Sequence, residues 1–268
     1  MNEFVLGRPR RQLFGLQVDA MTLDQVVALA ESALASRQRL LVGVVNAGKV
    51  VKLRSDSFLR DSLLECDVLL ADGQAVVWAG RLLGQPLPER VTGIDLFESM
   101  LDLAHRDGLG VYLLGARPEI LRALEDRIGT RWPGLHIAGS RDGYFDETQS
   151  ALIATDIASS GADMLFLGIT SPKKEIFLGT YGAALGVPVL HGVGGSFDVL
   201  AGVTRRAPIR WQRWGMEWAY RVLQEPRRLW KRYLTTNTAF LFLLARERVR
   251  RSPLYSPTSS TTQGAHHG

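Results

Sequence analysis

The stretch "MLFLGITSPKKEIFLGTYGAALGVPVLHGV", residues 164–193, predicts a strand, a helix and a second strand. Its two ends, "MLFLGI" and "VPVLHGV", are short aliphatic runs of the kind that form buried strands. Between them a helical pattern begins at Pro172, and proline in the first turn of a helix loses no hydrogen bond. Alternation of strands and helices predicts a parallel sheet, so this stretch indicates an α/β protein.

The same alternation extends over most of the chain. Further buried strands are predicted at Leu40–Val45, Val68–Ala71 and Val111–Ala116, and further helices at residues 94–105, 118–128 and 147–160. This pattern predicts a mainly parallel sheet with helices on both faces. Because ligands bind beyond the carboxyl ends of such strands, the residues that follow each strand are candidates for a site.

Composition and charge are those of a globular protein with one localised basic segment. The 268 residues suffice for one large domain, alone or with an appendage. A single cysteine, Cys66, cannot form an internal disulfide, which fits a reducing compartment, and we expect its thiol to be buried and unreactive. Residues 204–251 carry thirteen Arg or Lys against three acids, a net charge of +10 that leaves −5 elsewhere. Local basic charge of this kind indicates a polyanionic partner.

The basic segment is also aromatic and helical. Trp211, Trp214, Trp218 and Val222 are predicted to share one helical face beside arginines. Three interpretations remain: a solvated appendage, a nucleic-acid-binding module, or a helix on a membrane surface. The last is favoured, because tryptophan prefers the interface and each basic residue near anionic lipid contributes roughly 1 kcal/mol.

These patterns divide the chain into four parts. They are a flexible arm (residues 1–12), an α/β domain (13–203), a membrane-associating helical appendage (204–251) and a disordered tail (252–268). No apolar run reaches the roughly 18 residues needed to span a bilayer, and the N-terminus lacks the apolar region of a signal peptide. We therefore expect a cytoplasmic protein that lies on the inner face of the cell membrane.

Polar residues directly follow two of the predicted strands, Asn46 after Leu40–Val45 and Asp72 after Val68–Ala71, and others lie where a helix begins. Asp72, in "LLADGQAVVWAG", either caps the following helix or acts as a general base that takes a proton from a sugar hydroxyl. In "ERVTGIDLF", Asp95 lies near a helix N-terminus, and Arg90 is either solvated or binds a diphosphate through two parallel hydrogen bonds. The sequence leaves both pairs of alternatives open.

Glycine turns and lysines follow other strands. "LLGARPE" and "HGVGGSFD" place Gly115 and Gly194 before helices whose N-termini can hold phosphate. Lys174 of "GITSPKKE" lies in a first helical turn, where it is either solvated or meets a bound anion. The chain has no dinucleotide fingerprint and no P-loop. Its histidines are scattered and no Asp-X-Asp follows a strand, so we expect an enzyme that needs neither cofactor nor metal.

Taken together, these motifs resemble the WecG/TagA/CpsF family of bacterial glycosyltransferases (glycosyltransferase family 26). The resemblance covers about residues 12–244 and rests on "NAGKVV", "LLADGQAVVWA", "ERVTGIDLF", "VYLLGARPE", "RDGYF", "GITSPKKE", "GVGGSFDVLAG" and "RRAPIRWQRWGMEWAYRVLQEPRR". It implies a Rossmann-like α/β domain with a C-terminal helical appendage. It also implies metal-independent, inverting transfer of a sugar from a UDP-sugar to a sugar linked to undecaprenyl diphosphate.

The resemblance gives roles to particular residues. Asp72 matches the catalytic base, Asn46 and Arg90 match polar residues of the catalytic pocket, and the glycine turn with Asp198 falls near the nucleotide or its sugar. Substrate binding is further expected of Asp95, Gly115, Lys174, Glu175 and Gly194. The basic and aromatic residues expected to meet the lipid diphosphate or the membrane are Arg205, Arg206, Arg210, Arg213, Trp214 and Arg221.

Departures from the family pattern bear on the donor. Lys174 stands where the family commonly has Gln, and Val44 stands where some members have Thr. The sequences of three motifs, "LLADGQAVVWA", "TSPKKEIFLG" and "HGVGGSFDV", resemble those of the GumM-like exopolysaccharide branch. This resemblance implies UDP-glucose as the donor. The alternative is UDP-N-acetylmannosamine, or its uronate, in synthesis of teichoic acid or an enterobacterial-type antigen. A basic nucleic-acid-binding module without catalysis is the alternative of another class, although we expect no nucleic-acid partner, and a homo-oligomer is left open.

Overall fold

The computed structural model describes residues 7–170 and 173–256, apart from the side chains of Glu175, Arg213, Arg228 and Arg232. The strands are β1 (Arg10–Leu13), β2 (Leu16–Asp19), β3 (Leu40–Val45), β4 (Val68–Ala71), β5 (Gly110–Gly115), β6 (His136–Arg141), β7 (Met164–Gly168) and β8 (Val189–Gly192). The helices of the α/β domain are α1 (Leu23–Ala35), α2 (Ala47–Lys52), α3 (Ser57–Leu64), α4 (Gln74–Leu82), α5 (Gly93–Asp107), α6 (Pro118–Arg131), α7 (Glu147–Ser159), α8 (Lys173–Tyr181) and α9 (Ser196–Leu200). Three more helices follow: α10 (Ile209–Arg213), α11 (Glu217–Gln224) and α12 (Pro226–Val249).

Six strands form one parallel sheet in the order β4-β3-β8-β7-β5-β6. The predicted Rossmann-like parallel sheet is therefore confirmed. Val45 at the end of β3 pairs with Ala71 at the end of β4, so the residues that follow these two strands emerge side by side. This register brings together two of the polar residues singled out in the sequence.

The core lies on both faces of the sheet, because successive side chains of a strand point to opposite sides. From β3, Val42 and Val44 pack in the layer of α1 and α5, whereas Leu41 faces the other layer. In the first layer the Phe97 and Phe166 rings lie 4.7 Å apart with one edge toward the other face. This two-sided burial explains why the strands read as continuous apolar runs.

The N-terminal residues differ from the expected flexible arm. β1 begins at Arg10, inside the range assigned to the arm, and pairs with β2 in an antiparallel hairpin. The buried Asp19 carboxylate accepts hydrogen bonds from the Arg10 Nε and from the Leu69 backbone N–H of β4. Arg10 is thus the partner of a buried acid, and residues 10–12 belong to the hairpin.

The start of the expected disordered tail is also packed. Gln12 donates a hydrogen bond to the Ser252 carbonyl at 2.8 Å, and the Tyr255 N–H donates to the Gly15 carbonyl at 2.9 Å. The buried Glu247 carboxylate accepts from the Ser252 hydroxyl at 2.5 Å. Residues 252–256 therefore line the N-terminal hairpin, while residues 257–268 lie outside the described residues.

Candidate active site

Asp72 and Asn46 meet where β4 and β3 end. The Asn46 side-chain amide donates to Asp72 Oδ2 at 3.2 Å, while the other carboxylate oxygen, Oδ1, accepts from the Gly93 N–H at 3.1 Å. The Asn46 Oδ1 is itself fixed, because it caps α2 by accepting from the Lys49 N–H. Helix α4 begins after Gly73 without a side-chain cap, so the capping alternative for Asp72 is wrong. The Asp72 carboxylate is instead oriented by hydrogen bonds to both of its oxygens, beyond the carboxyl ends of the strands.

A buried histidine contacts the peptide that orients Asp72. His191 in β8 is 0% exposed; its Nε2 lies 3.4 Å from the Gly93 carbonyl oxygen and its Nδ1 lies 3.1 Å from that of Val42. Burial lowers the pKa of His191, so the ring is neutral near pH 7. Gly93 is therefore bound through its N–H to Asp72 and contacted through its carbonyl by His191.

The entry of α5 carries an ionic network that reaches into the appendage. Thr92 caps this helix and donates from its hydroxyl to Asp95 Oδ2 at 2.6 Å. The other oxygen of Asp95 lies 2.6 Å from Arg206 Nη2, and Arg90 pairs with Glu217. Sequence reasoning singled out three members of this network but missed Glu217, whose only signal was that it is one of three acids in a strongly basic segment.

The other predicted substrate-binding residues follow neighbouring strands. Gly115 has φ 143°, and a Cβ there would lie 2.4 Å from the Gly168 carbonyl carbon, so close backbone packing requires this glycine. Gly194 has φ 54°, a left-handed turn after β8. The Asp198 side chain is half-buried in α9, and the side chain of Glu175 lies outside the described residues.

The two lysines of "SPKKE" differ in their surroundings. Lys173 donates to the Gly143 carbonyl at 2.8 Å and lies 3.5 Å from the centre of the Phe145 ring, and burial lowers its pKa. Lys174 packs against Gly192 and, with Cys66, lines a small cavity. Burial raises the pKa of that thiol to about 11, in keeping with an unreactive cysteine.

The appendage departs from the single amphipathic helix that the tryptophan spacing predicts. Gly215, with φ 67°, separates α10 from α11, and a Cβ on it would lie 2.5 Å from Gln74 Cγ of α4. The turn therefore rests on the helix that follows Asp72. The Trp211 and Tyr220 rings pack edge to face inside the appendage, whereas Trp214 is 70% exposed.

The residues expected to meet the lipid diphosphate or the membrane differ in exposure. Arg206 is half-buried and points into the ionic network, while Arg213 has no described side chain. The exposed members are Arg205, Arg210, Trp214 and Arg221. Among the residues described, no helix is long and apolar enough to cross a membrane, and no three side chains of metal-ligand type are grouped together.

An oriented carboxylate lies at the strand ends of a Rossmann-like sheet, beside two arginines, and the comparisons show that the chain is a glycosyltransferase. The model of the glycosyl transferase WecG/TagA/CpsF family matches residues 11–253, and the chain belongs to this family. The chain is also similar to a protein of Bacillus spizizenii (strain ATCC 23059 / NRRL B-14472 / W23), named N-acetylglucosaminyldiphosphoundecaprenol N-acetyl-beta-D-mannosaminyltransferase. The two are 37% identical over 194 residues, which cover 72% of this chain and 74% of the relative. The family resemblance that the motifs indicate is thereby confirmed.

Proposed function

We propose that this glycosyltransferase moves N-acetylmannosamine from its UDP-activated form to N-acetylglucosamine linked to a polyprenyl diphosphate. The name and 37% identity of the Bacillus relative support this donor and acceptor. Nothing in that name supports the glucose donor expected from the exopolysaccharide branch. Family membership likewise favours a transferase over the basic nucleic-acid-binding module.

The observation that carries the proposal is the orientation of Asp72. Its two oxygens are held by the Asn46 amide and the Gly93 N–H beyond the carboxyl ends of the strands, which supports a role for this carboxylate as the general base. In the proposed single displacement Asp72 takes the proton of the acceptor hydroxyl. The resulting oxygen bonds to the anomeric carbon from the face opposite UDP, the bond from that carbon to the diphosphate breaks, and UDP leaves with inversion.

Charge on the leaving diphosphate would be stabilised by the guanidinium groups of Arg90 and Arg206, which lie next to the Asp72 edge. This arrangement needs no metal for that role. Exposed arginines and Trp214 on the appendage would hold the enzyme on the inner face of the membrane, where the lipid tail of the acceptor is embedded.

The test is a transfer assay in detergent with two short-chain polyprenyl-diphosphate acceptors, one carrying N-acetylglucosamine and the other carrying glucose. UDP-N-acetylmannosamine, its uronate, UDP-glucose and UDP-N-acetylglucosamine are compared as donors, each with EDTA and with Mg²⁺. We expect transfer from UDP-N-acetylmannosamine that EDTA does not abolish. Transfer from UDP-glucose to a glucosyl-diphosphate acceptor alone would restore the exopolysaccharide assignment, and strict dependence on Mg²⁺ would overturn the metal-free mechanism.

A further inference from the structure

Glu217 joins the two arginines of the ionic network. Its Oε2 pairs with Arg90 Nη1, and its Oε1 lies 3.7 Å from Arg206 Nε. The Arg90 side chain is 14% exposed, that of Glu217 is 25% exposed and that of Arg206 is 26% exposed. Water therefore screens these charges weakly. One carboxylate thus spans two guanidinium groups that would otherwise repel each other.

Arg206 is incompletely satisfied in this arrangement. Its Nη2 lies 2.6 Å from Asp95 Oδ1, yet among the described residues neither Nη2 nor Nε has a hydrogen-bond partner of good geometry, and both atoms are buried. Buried donors that lack a hydrogen bond are unfavourable. The network therefore leaves part of the hydrogen-bonding capacity of Arg206 unused, next to the Glu217 carboxylate that contacts both arginines.

We propose that Glu217 holds, until substrate binds, the place that an oxygen of a substrate diphosphate takes between Arg90 and Arg206. The inference rests on the proposed function. A diphosphate fits this place because each guanidinium offers two parallel donors that match phosphate oxygens, and because the larger negative charge competes with a single carboxylate. The place also adjoins the reacting edge: Arg90 and Asp95 flank Gly93, whose N–H binds Asp72.

The exchange also involves the appendage. Glu217 is the first residue of α11, and the preceding Gly215 turn packs on Gln74 and Trp78 of α4. Displacement of the Glu217 carboxylate by a diphosphate would free the start of α11 from Arg90. A bound substrate would therefore exchange one contact of the appendage for another without unfolding the sheet.

The experiment compares Glu217→Gln with the wild type by calorimetric titration of two probes, UDP and farnesyl diphosphate. We expect Glu217→Gln to bind the diphosphate that uses this place roughly fivefold more tightly, because its competitor has lost its charge. A higher affinity for UDP assigns the place between Arg90 and Arg206 to the diphosphate of the donor. A higher affinity for farnesyl diphosphate assigns it to the diphosphate of the acceptor. Glu225→Gln, an equal loss of charge on the same appendage, is expected to leave both affinities unchanged.

Two further variants separate competition from other effects. Glu217→Asp keeps the charge but shortens the side chain, so this variant should also bind the diphosphate probe more tightly than the wild type, by a smaller factor than Glu217→Gln. It provides the test if Glu217→Gln folds poorly. In an Arg90→Gln background the gain from Glu217→Gln should be lost. Equal or weaker binding of both probes by Glu217→Gln and Glu217→Asp overturns this role of Glu217. Wild-type protein that binds neither probe overturns the proposed function with it.

Discussion

The effect of replacing Asp72 follows from its two hydrogen bonds. In Asp72→Asn one oxygen becomes an NH₂ donor, so the side chain cannot accept from both Asn46 and Gly93. We expect turnover to fall by about 10²- to 10⁴-fold, because no carboxylate takes the acceptor proton. The free energy of unfolding should fall by about 1–2 kcal/mol, since one buried donor loses its partner. Initial rates of sugar transfer and urea denaturation measure the two effects.

The matched control is Asp156→Asn, the same chemical change on the exposed surface of α7. It should leave both the rate and the free energy of unfolding unchanged. Turnover of Asp72→Asn close to that of the wild type would contradict the assignment of Asp72 as the base.

The neutral His191 ring gives a prediction about pH. Burial lowers its pKa in the folded protein, whereas in the unfolded chain a histidine titrates near its ordinary value of about 6.5. Below that pH the unfolded state binds the proton more readily, so the contribution of His191 to stability is present above about pH 6.5 and is lost as the pH falls. Between about pH 7.5 and about pH 5.5, urea denaturation should show a larger loss in the free energy of unfolding for the wild type than for His191→Gln.

An exposed histidine supplies the comparison for this experiment. His105→Gln, at the solvated end of α5, should show the same pH dependence as the wild type. Identical pH dependence of the wild type and His191→Gln would mean that the buried ring does not resist protonation.

At the scale of residues, the position of a polar residue directly after a strand predicted the site correctly where two neighbouring strands supply the two side chains that meet. Asn46 and Asp72 were predicted because each follows a buried strand, and the parallel register brings them together. Glu217 could not be predicted in the same way, because it pairs with Arg90 across 127 positions of the chain. Such a contact depends on how the appendage folds back, which no local pattern reports.

The packing of α12 on α2 links the appendage to the site. Phe240 of α12 is 4% exposed and its ring lies 5.3 Å from that of Phe14, in the cluster that includes Val50 of α2. In Phe240→Ala we expect the free energy of unfolding to fall by about 3 kcal/mol, because the truncation leaves a cavity. Turnover should fall as well, since α2 is the helix that Asn46 caps.

The control lies two residues further along the same helix. Phe242 is 69% exposed, so Phe242→Ala should change the free energy of unfolding by no more than about 0.5 kcal/mol. Urea denaturation compares the two variants. Equal losses would mean that α12 is not held by its buried face.

Buried strands of the sheet were predictable because burial on both faces makes them continuous apolar runs. Strand β6, "HIAGSR", was missed because it is an edge strand with largely exposed polar side chains. The break at Gly215 was missed because the tryptophan spacing continues across it in helical register. A left-handed glycine is recognisable as a break only once its neighbours, here Gln74 and Trp78, are known.

In the molecule as a whole, the positive charge is concentrated in the appendage. Residues 204–251 carry +10 in a chain of net charge +5, and the appendage exposes Arg205, Arg210 and Arg221. If this surface lies on anionic lipid, replacing these three arginines by glutamine should lower partition onto anionic vesicles by roughly 100-fold, at about 1 kcal/mol for each charge. Co-flotation with vesicles that contain phosphatidylglycerol measures the partition.

The comparison requires an equal loss of charge away from the appendage. Arg117, Arg122 and Arg127 are exposed near or on α6, and their replacement by glutamine should leave flotation unchanged. Raising the ionic strength should release the wild type, because screening weakens attraction between exposed charges. Adding Trp214→Ala to the appendage variant should weaken binding further even at high salt, since the exposed indole inserts without using charge. If both triple variants lose binding equally, net charge and not this surface brings the protein to lipid. The appendage would then serve to close the active site through Glu217 and Gly215.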